Sequence, residues 1–297
     1  MLRFGAAWYG FREQTPTNYF EMVAGLGLRY VEVPLLWQIV DGQLFNFRLN
    51  ARIDEVSDAA TRAGVQIVSS VSHFDLAGDY AMLGEEVDES RRRFGLAAAR
   101  RAIDIGARLG LEVMRITEPG IRPDRLEEAE STMEALGKVL SELGDYADQY
   151  GIKIAVENYE LTSQQVLWAL EAADHSAVGT LYDPCNYFRI GEDPLDALRK
   201  LRGWVVYGHL KDQIRNDERD PNLLFPGSRW APSVAVGDGD IVWEPILAEL
   251  ADSYDGYLCY EYEMPADVMV GTRRSHNHVL AIATDIGIQT DPKPVRP

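Results

Sequence analysis

The stretch VVYGHLKD, residues 205–212, begins as an apolar strand and ends with three ionisable side chains, His209, Lys211 and Asp212. An apolar run of this length, rich in β-branched and aromatic residues, is typical of a buried strand. Charged side chains are costly to bury unless they are paired or bind a metal ion. We therefore expect the end of this strand to face a polar site.

Runs of the same kind recur along the whole chain. Seven further strand candidates are RFGAAWYG (3–10), YVEVPLLW (30–37), QIVSSVSH (66–73), EVMRITEP (112–119), KIAVENYE (153–160), VGTLYDP (178–184) and GYLCYEYE (256–263). Between the strands lie stretches whose apolar residues recur at helical spacing, most clearly at about 86–109 and 124–150. The chain therefore alternates strand and helix from end to end.

This alternation indicates the fold class. Strands that are apolar almost throughout and alternate with helices are typical of a parallel sheet covered by helices. Eight is also the number of strands in a closed (β/α)₈ barrel. An open, doubly wound sheet is the alternative, but no G-x-G-x-x-G motif follows the first strand. We predict an α/β fold, a single-domain (β/α)₈ (TIM) barrel over 1–290, with a C-terminal tail at 291–297.

One connection is longer than the others. Residues 213–235, QIRNDERDPNLLFPGSRWAPSVA, are too long and too rich in Pro and Asn for a minimal turn between strand and helix. We predict a long loop over the barrel mouth, with Asp212 anchoring its start. The terminal TDPKPVRP is expected to be loosely held.

Composition excludes several classes of partner. The chain has 29 Lys and Arg against 47 Asp and Glu, a net charge of −18, which disfavours nucleic acid and anionic membranes as partners. The only two cysteines, Cys185 and Cys259, suggest a reducing compartment. The N-terminus lacks the pattern of a signal peptide, and no apolar run approaches the roughly 20 residues that span a bilayer. We expect a cytoplasmic protein.

Polar residues cluster at the carboxyl ends of seven predicted strands. In a barrel of this type, chemistry takes place at that end, on the face formed by the loops that follow the strands. The residues concerned are Glu32, His73, Arg115, Glu118, Glu157, Asn158, Asp183, Asn186, His209, Lys211, Glu261 and Glu263. We expect these side chains to converge on one mouth.

Four of them come from four consecutive strands. Glu157, Asp183, His209 and Glu261 follow one another at spacings of 26, 26 and 52 residues, and the last interval contains the long loop. Three carboxylates and one imidazole suit Mn²⁺, Mg²⁺ or Co²⁺ better than a structural zinc ion. We predict that the site binds one divalent metal ion and that Mn²⁺ is the preferred one. The alternative is a carboxylate network neutralised by the cations Lys211, Arg115 and Arg215.

The order of several segments resembles a known family. The segments are IAVENYE (154–160), LYDPCNYF (181–188), VYGHLKDQIR (206–215), VAVGDGDIVWEPIL (234–247) and YDGYLCYEYE (254–263). Together they resemble the sugar-phosphate isomerase/epimerase-like barrels of the xylose isomerase-like (AP endonuclease family 2) superfamily. That group includes ketose 3-epimerases, hydroxypyruvate isomerase, inosose dehydratase and endonuclease IV. The five histidines and the acidic surface of this chain make endonuclease IV a poor match.

The resemblance implies roles for particular residues. It makes Glu157, Asp183, His209 and Glu261 the ligands of one divalent metal, with the two glutamates also acting as acid and base. It implies that Arg215, six residues beyond the metal histidine, binds substrate. Where the epimerases and dehydratases usually have a histidine, three residues after the metal aspartate, this chain has Asn186. An asparagine can hydrogen-bond a sugar hydroxyl but cannot shuttle a proton, so the exact reaction stays open.

The predicted function is that of a metal-dependent isomerase or epimerase acting on a keto-sugar or polyol. It would abstract a proton next to a carbonyl and pass through a metal-stabilised enediolate. One alternative is a lyase on the same scaffold, either an inosose dehydratase-like enzyme or the α-subunit of a C-glycoside deglycosidase acting on 3-oxo-glycosides. Such α-subunits pair with a small β-subunit, whereas otherwise we expect an oligomer of this chain. A non-catalytic sugar-binding barrel is the third alternative.

Catalytic roles are predicted for four residues. Glu157 is the expected base and Glu261 its counterpart, unless they serve only as metal ligands. Lys211 polarises the carbonyl or forms a salt bridge with Asp212 or Glu157. His73 touches substrate or is a structural residue.

Further substrate contacts are predicted at the mouth. Glu32 and Arg115 contact substrate or form a packing ion pair. Aromatic rings stack on sugars and exclude water, and we predict this role for Trp37 and Trp230. The predicted substrate-binding residues are Arg215, Asn186, Arg115, Glu32, Trp230 and Trp37.

Overall fold

Eight parallel strands close into one barrel in the computed structural model of the protein. The structure describes residues 1–35, 37–40, 43–46, 53–72, 76, 89–117, 127–215 and 232–291. Each strand pairs with the next in chain order, and the last pairs with the first, with Phe4 opposite Leu258. The predicted single-domain (β/α)₈ barrel is therefore confirmed.

The strands and helices alternate as the sequence predicts. The barrel strands are β1 (Leu2–Ala6), β2 (Tyr30–Pro34), β3 (Gln66–Ser72), β4 (Val113–Thr117), β5 (Lys153–Glu157), β6 (Val178–Tyr182), β7 (Val205–Leu210) and β8 (Tyr257–Tyr260). The described helices are α1 (Pro16–Gly25), α2 (Ile53–Ala63), α3 (Glu89–Leu109), α4 (Ala129–Asp148), α5 (Ser163–Ala173), α6 (Pro184–Ile190), α7 (Pro194–Leu201), α8 (Trp243–Ser253) and α9 (Val268–Asp285). None of these helices is long and apolar enough to cross a membrane.

Two layers of apolar side chains set the position of the site. A large core fills the space between the strands and the surrounding helices. A smaller cluster, which we call the inner plug, consists of Ala7, Tyr30, Val68, Val113, Ala155, Leu181, Tyr207, Tyr257 and Cys259. Side chains alternate along a strand, so a residue two positions after a plug residue points to the same side. Glu157, Asp183, His209 and Glu261 each stand two positions after a plug residue and therefore share its side of the sheet.

The strands end earlier than the sequence predicts. The second strand was predicted to run to Trp37, but β2 ends at Pro34, which has no N–H to continue the ladder. Trp37 instead begins a separate two-stranded hairpin, Trp37–Val40 with Gln43–Asn46. At the other end of the chain, Thr290 and Asp291 pair with β1, so the first two residues of the predicted loose tail are held.

The predicted long loop is tied at both ends. Asp212–Gln213 pairs in antiparallel fashion with Ser233–Val234, while 216–231 lie outside the described residues. The buried Asp212 carboxylate accepts hydrogen bonds of 2.8–3.4 Å from the backbone N–H groups of Gln213, Gly237, Gly239 and Ile241 and from Trp243 Nε1. Gly237 has φ +92°, a conformation that favours glycine. The predicted anchoring role of Asp212 is confirmed.

Removing this carboxylate is expected to destabilise the fold. Asp212→Ala leaves several buried donors without an acceptor, and each such donor costs about 1–3 kcal/mol. We expect the free energy of unfolding to fall by at least that amount in urea denaturation. Asp238→Asn in the same turn is the matched control, because Asp238 pairs with Arg274 at the surface, where loss of an ion pair costs about 1 kcal/mol or less. Equal effects of the two substitutions would contradict the anchoring role.

Candidate metal centre

The structure brings together the four residues that the sequence places at the ends of consecutive strands. Glu157 is the last residue of β5, Asp183 follows β6, His209 lies in β7 and Glu261 follows β8. All four are at most 1% exposed. One ligand atom from each lies within 4.8 Å of the others. We call this group the four-residue cluster.

Among the residues that the structure describes, two atoms of the cluster find no hydrogen-bond partner. They are His209 Nδ1 and Asp183 Oδ2. His209 Nδ1 lies 3.4 Å from Glu261 Oε2 and 3.9 Å from both Glu157 Oε1 and Asp183 Oδ2. Buried polar atoms without partners are rare and costly. Lone pairs that converge in this way fit a cation with oxygen and nitrogen ligands.

Local structure leaves one oxygen of Asp183 available. Asp183 is the N-cap of α6, where its Oδ1 accepts from the backbone N–H groups of Cys185 (2.9 Å) and Asn186 (3.3 Å). Its Oδ2 is thereby left to face the cluster. Burial, together with the carboxylate of Glu261, raises the pKa of Asp183 to about 6.

Arg115 holds both glutamates of the cluster. Its Nη2 and Nε donate to Glu157 Oε2 at 2.6 and 2.9 Å, and its Nη1 donates to Glu261 Oε1 at 3.2 Å. Burial alone would raise the pKa of Glu157, but Arg115, His209 and the hydrogen bond from Thr117 together lower that pKa. Arg115 was predicted to contact substrate or form a packing ion pair, and its observed partners are carboxylates. Thr117 Oγ1 adds a 2.6 Å bond to Glu157, which the sequence prediction missed although Thr117 lies two positions after Arg115 on β4.

Lys211 contacts the other side of Glu261. Its Nζ lies 3.1 Å from Glu261 Oε2 and 2.7 Å from Glu263 Oε1. The alternative role predicted for Lys211, a salt bridge to Asp212 or Glu157, is wrong in its partners: among the described residues Lys211 pairs with Glu261 and Glu263. Asp212 instead accepts from Gln213 and from the turn at 237–243. Burial would raise the pKa of Glu261, but Lys211, His209 and Arg115 together lower it well below its usual value. Glu261 is therefore ionised at neutral pH.

The charges of the centre support a divalent cation. Four fully buried carboxylates, those of Glu32, Glu157, Asp183 and Glu261, face two permanent cations, Arg115 and Lys211. This set carries two uncompensated negative charges. Burial would lower the pKa of His209, but Glu261 and Glu32 raise it to about 10, so a proton supplies part of the missing charge. The donor set and the charge deficit both fit one divalent metal ion.

Two further predicted contacts lie beside the cluster. Asn186 Nδ2 is 3.4 Å from Glu157 Oε1, and Glu32 Oε2 is 3.4 Å from His209 Nε2. The guanidinium of Arg215, by contrast, lies over the ring of Phe188 at 5.3 Å. Among the described ion pairs, Arg215 does not contribute to the carboxylate network in which the alternative hypothesis included it.

Some predicted site residues stay untested. His73 and Trp230 lie outside the described residues, and so does Glu118. Trp37 belongs to the hairpin after β2, and its side chain is not among those described. The predicted substrate contacts of His73, Trp37 and Trp230 therefore remain predictions.

Comparison with known proteins gives a partial sequence match and several structural neighbours. The inosose dehydratase of Clostridium perfringens is 31% identical over 143 residues, which are 45% of this chain and 48% of that enzyme. The match thus spans about half the length of this curated relative. The 3-keto-D-glucoside 4-epimerase of E. coli superposes with a TM-score of 0.69 at 18% identity, covering 96% of this chain and 100% of the other.

A further solved structure carries a metal ion. The xylose isomerase-like TIM barrel protein of Mycobacterium smegmatis, in complex with magnesium, superposes with a TM-score of 0.67 at 19% identity, covering 95% of this chain and 97% of that one. At these identities the superpositions establish the fold alone. The model of the xylose isomerase-like TIM barrel family matches residues 20–280. The closed barrel and this match over most of its length place the protein in the xylose isomerase-like TIM barrel family.

Proposed function

We propose that the protein is a divalent-metal-dependent isomerase or epimerase that acts on a keto-sugar or keto-polyol by removing a proton next to its carbonyl. The observation that carries the proposal is the four-residue cluster, in which two buried ligand atoms have no hydrogen-bond partner within the described part of the chain. Mn²⁺ is the ion we expect, and Mg²⁺ or Co²⁺ suits the same donors. A bound cation would stabilise negative charge on adjacent substrate oxygens.

The two glutamates are arranged to move protons. β5 and β8 are separated by β6 and β7, so Glu157 and Glu261 flank Asp183 and His209. Arg115 binds Glu157 Oε2 and Glu261 Oε1, which leaves the other oxygen of each glutamate towards His209. Both glutamates have lowered pKa values and are ionised at neutral pH. We assign Glu157 as the base. Glu261, which is ionised, would return a proton to the opposite face only after taking one from solvent, and Glu157 would release its own proton to solvent to complete the cycle.

A lyase is the second candidate. The partial match to an inosose dehydratase supports it. Asn186, whose amide lies against Glu157, can donate a hydrogen bond but cannot carry a proton, so a proton carrier at that position is missing for either reaction. In that reaction, a group at the mouth protonates a departing hydroxyl or aglycone after the same first proton abstraction. If the substrate is a 3-oxo-glycoside, we expect a small second subunit to copurify.

One series of assays tests the proposal and distinguishes the isomerase or epimerase from the lyase. Metal-depleted protein is reloaded with Mn²⁺, Mg²⁺ or Co²⁺ and incubated in D₂O with ketoses, inososes and 3-oxo-glycosides. Deuterium next to the carbonyl of an isomeric product supports the isomerase, whereas a dehydrated or deglycosylated product supports the lyase. Metal binding without turnover on any of these would favour a non-catalytic barrel. Full turnover without metal would refute the proposal.

Metal affinity is expected to fall with decreasing pH. His209, with a pKa of about 10, must lose a proton before Nδ1 can bind a cation, so affinity drops about tenfold per pH unit below that value. Below about pH 6, Asp183 is also protonated and the slope steepens towards a hundredfold per unit. Titration calorimetry with Mn²⁺ between pH 5 and pH 8 measures both slopes.

A histidine away from the centre controls for general pH effects. His175 pairs with Asp145, and His175→Gln should leave the slopes unchanged. Affinity that is independent of pH over this range would contradict the assignment of His209 and Asp183 as ligands.

A further inference from the structure

The two nitrogens of His209 face different surroundings. Nδ1 points at the carboxylates of the four-residue cluster, the nearest being Glu261 Oε2 at 3.4 Å. Nε2 lies 3.4 Å from Glu32 Oε2, on the other side of the ring. A neutral imidazole has one N–H and one lone pair, and the partner of one nitrogen determines which nitrogen keeps the proton. The group opposite Nε2 therefore decides what Nδ1 can do.

Glu32 is fixed in place as an acceptor. Its side chain is fully buried, and it lies beside Ser69 because the register of β2 against β3 shifts between Val31 and Glu32. Ser69 Oγ donates to Glu32 Oε2 at 3.4 Å, and the backbone N–H of Trp8 donates to Oε1 at 3.4 Å. Because Ser69 and Trp8 both donate to this side chain, its oxygens act as acceptors. An acceptor opposite Nε2 keeps the imidazole proton on that nitrogen.

We infer that Glu32 is a positioning residue that holds His209 as its Nε2–H tautomer and thereby keeps the Nδ1 lone pair directed at the metal centre. The inference rests on the proposed function, since it concerns the metal ligand His209. It also replaces the substrate contact predicted from sequence, because both carboxylate oxygens of Glu32 are engaged by protein groups inside the barrel. A carboxylate in this position orients a ligating histidine and increases its basicity.

Glu32 also contacts Arg115, which gives its carboxylate a second role, as the partner of the Arg115 charge. Arg115 Nη1 donates to Glu32 Oε1 at 3.3 Å. Two substitutions separate this role from the positioning of His209. Glu32→Ala removes the acceptor and the charge together. Glu32→Gln removes the charge but keeps a side-chain oxygen that can accept from Nε2.

The test measures metal binding and the histidine itself. Loss of such a partner typically weakens metal affinity by about 10- to 100-fold, which we expect for Glu32→Ala in calorimetric titration of the metal-depleted protein with Mn²⁺. Glu32→Gln should retain most of the affinity. With Mg²⁺ bound, ¹⁵N NMR of wild-type His209 should show a protected proton on Nε2, which should exchange faster or leave Nε2 in Glu32→Ala.

The matched control removes a different hydrogen bond of the same residue. Tyr19 OH donates to the backbone carbonyl of Glu32 at 3.0 Å, and Tyr19→Phe should leave Mn²⁺ affinity and the His209 signals unchanged. If Glu32→Ala does not fold, Glu32→Gln and the NMR spectrum of the wild type still test the inference. A His209 that is protonated on Nδ1 in the Mg²⁺-bound wild type overturns it.

The outcomes also separate this inference from the proposed function. If the wild type binds Mn²⁺ and Glu32→Ala binds it equally well, the positioning role is wrong and the proposed function stands. Unchanged Mn²⁺ affinity with a raised KM for substrate would return Glu32 to the role of a substrate contact. If the wild type takes up no divalent ion, both proposals fail.

Discussion

Glu157→Gln is expected to lower kcat by about 10²–10⁴-fold on the substrate found in the assay series, the range typical of losing a general base. The substitution keeps the size of the side chain and the oxygen that accepts from Arg115 and Thr117, but the amide cannot remove a proton. Steady-state kinetics at saturating Mn²⁺ and deuterium exchange next to the carbonyl should both show the loss. Near-normal exchange would exclude Glu157 as the base.

Two comparison variants isolate the proton-transfer role. Asp183→Asn loses a ligand oxygen without losing a proposed proton carrier, so we expect excess Mn²⁺ to recover much of its activity but not that of Glu157→Gln. Glu112→Gln makes the same chemical change just before β4, where Glu112 accepts from Gln66 and Tyr257. That variant should retain wild-type kcat. Equal metal rescue of the Glu157 and Asp183 variants would show that Glu157 serves only as a ligand.

Arg115→Met is expected to reduce the free energy of unfolding of the metal-depleted protein by about 3–5 kcal/mol, the cost of removing one partner of a buried ion pair. Arg115 is 6% exposed and contacts Glu32, Glu157 and Glu261. Without its charge, these carboxylates repel one another in a medium of low dielectric constant. Saturating Mn²⁺ should restore part of the loss. Urea unfolding with and without the ion measures both effects.

An exposed arginine provides the control. Arg100 pairs with Glu142 at 2.6 Å, but both side chains are at least 40% exposed. Arg100→Met should therefore change stability by about 1 kcal/mol or less, with no dependence on Mn²⁺. If Arg115→Met were as mild as this variant, the carboxylates of the centre would have to be neutralised by other groups.

The barrel and the four-residue cluster could be predicted because both depend on local patterns. Apolar runs and their spacing indicate parallel strands, and parallel strands bring the residues at their carboxyl ends together. The strand ends could not be predicted as well. The segments NYE after Glu157 and EYE after Tyr260 look strand-like, yet β5 and β8 stop before them. The backbone leaves the ladder directly after Glu157 in β5 and directly before Glu261 in β8.

The roles of Glu32, Arg115 and Lys211 could not be predicted in the same way. Their partners depend on the register between neighbouring strands, as with the shift that places Glu32 beside Ser69. Sequence spacing does not show such a shift. It does show which residues are ionisable and near strand ends, which is why these three were identified as site residues while their contacts were not.

The alternation along each strand has an evolutionary consequence. Leu181 and Tyr207 of the inner plug stabilise the barrel, while Asp183 and His209, two positions further on, form the rim. Substitutions that adapt the protein to a new substrate can therefore occur at the rim without changing the inner plug. Likewise, neutral substitutions within the inner plug need not remove the residues that carry out the chemistry. Libraries that vary only rim positions should yield a much larger fraction of folded variants than libraries of equal size directed at the plug.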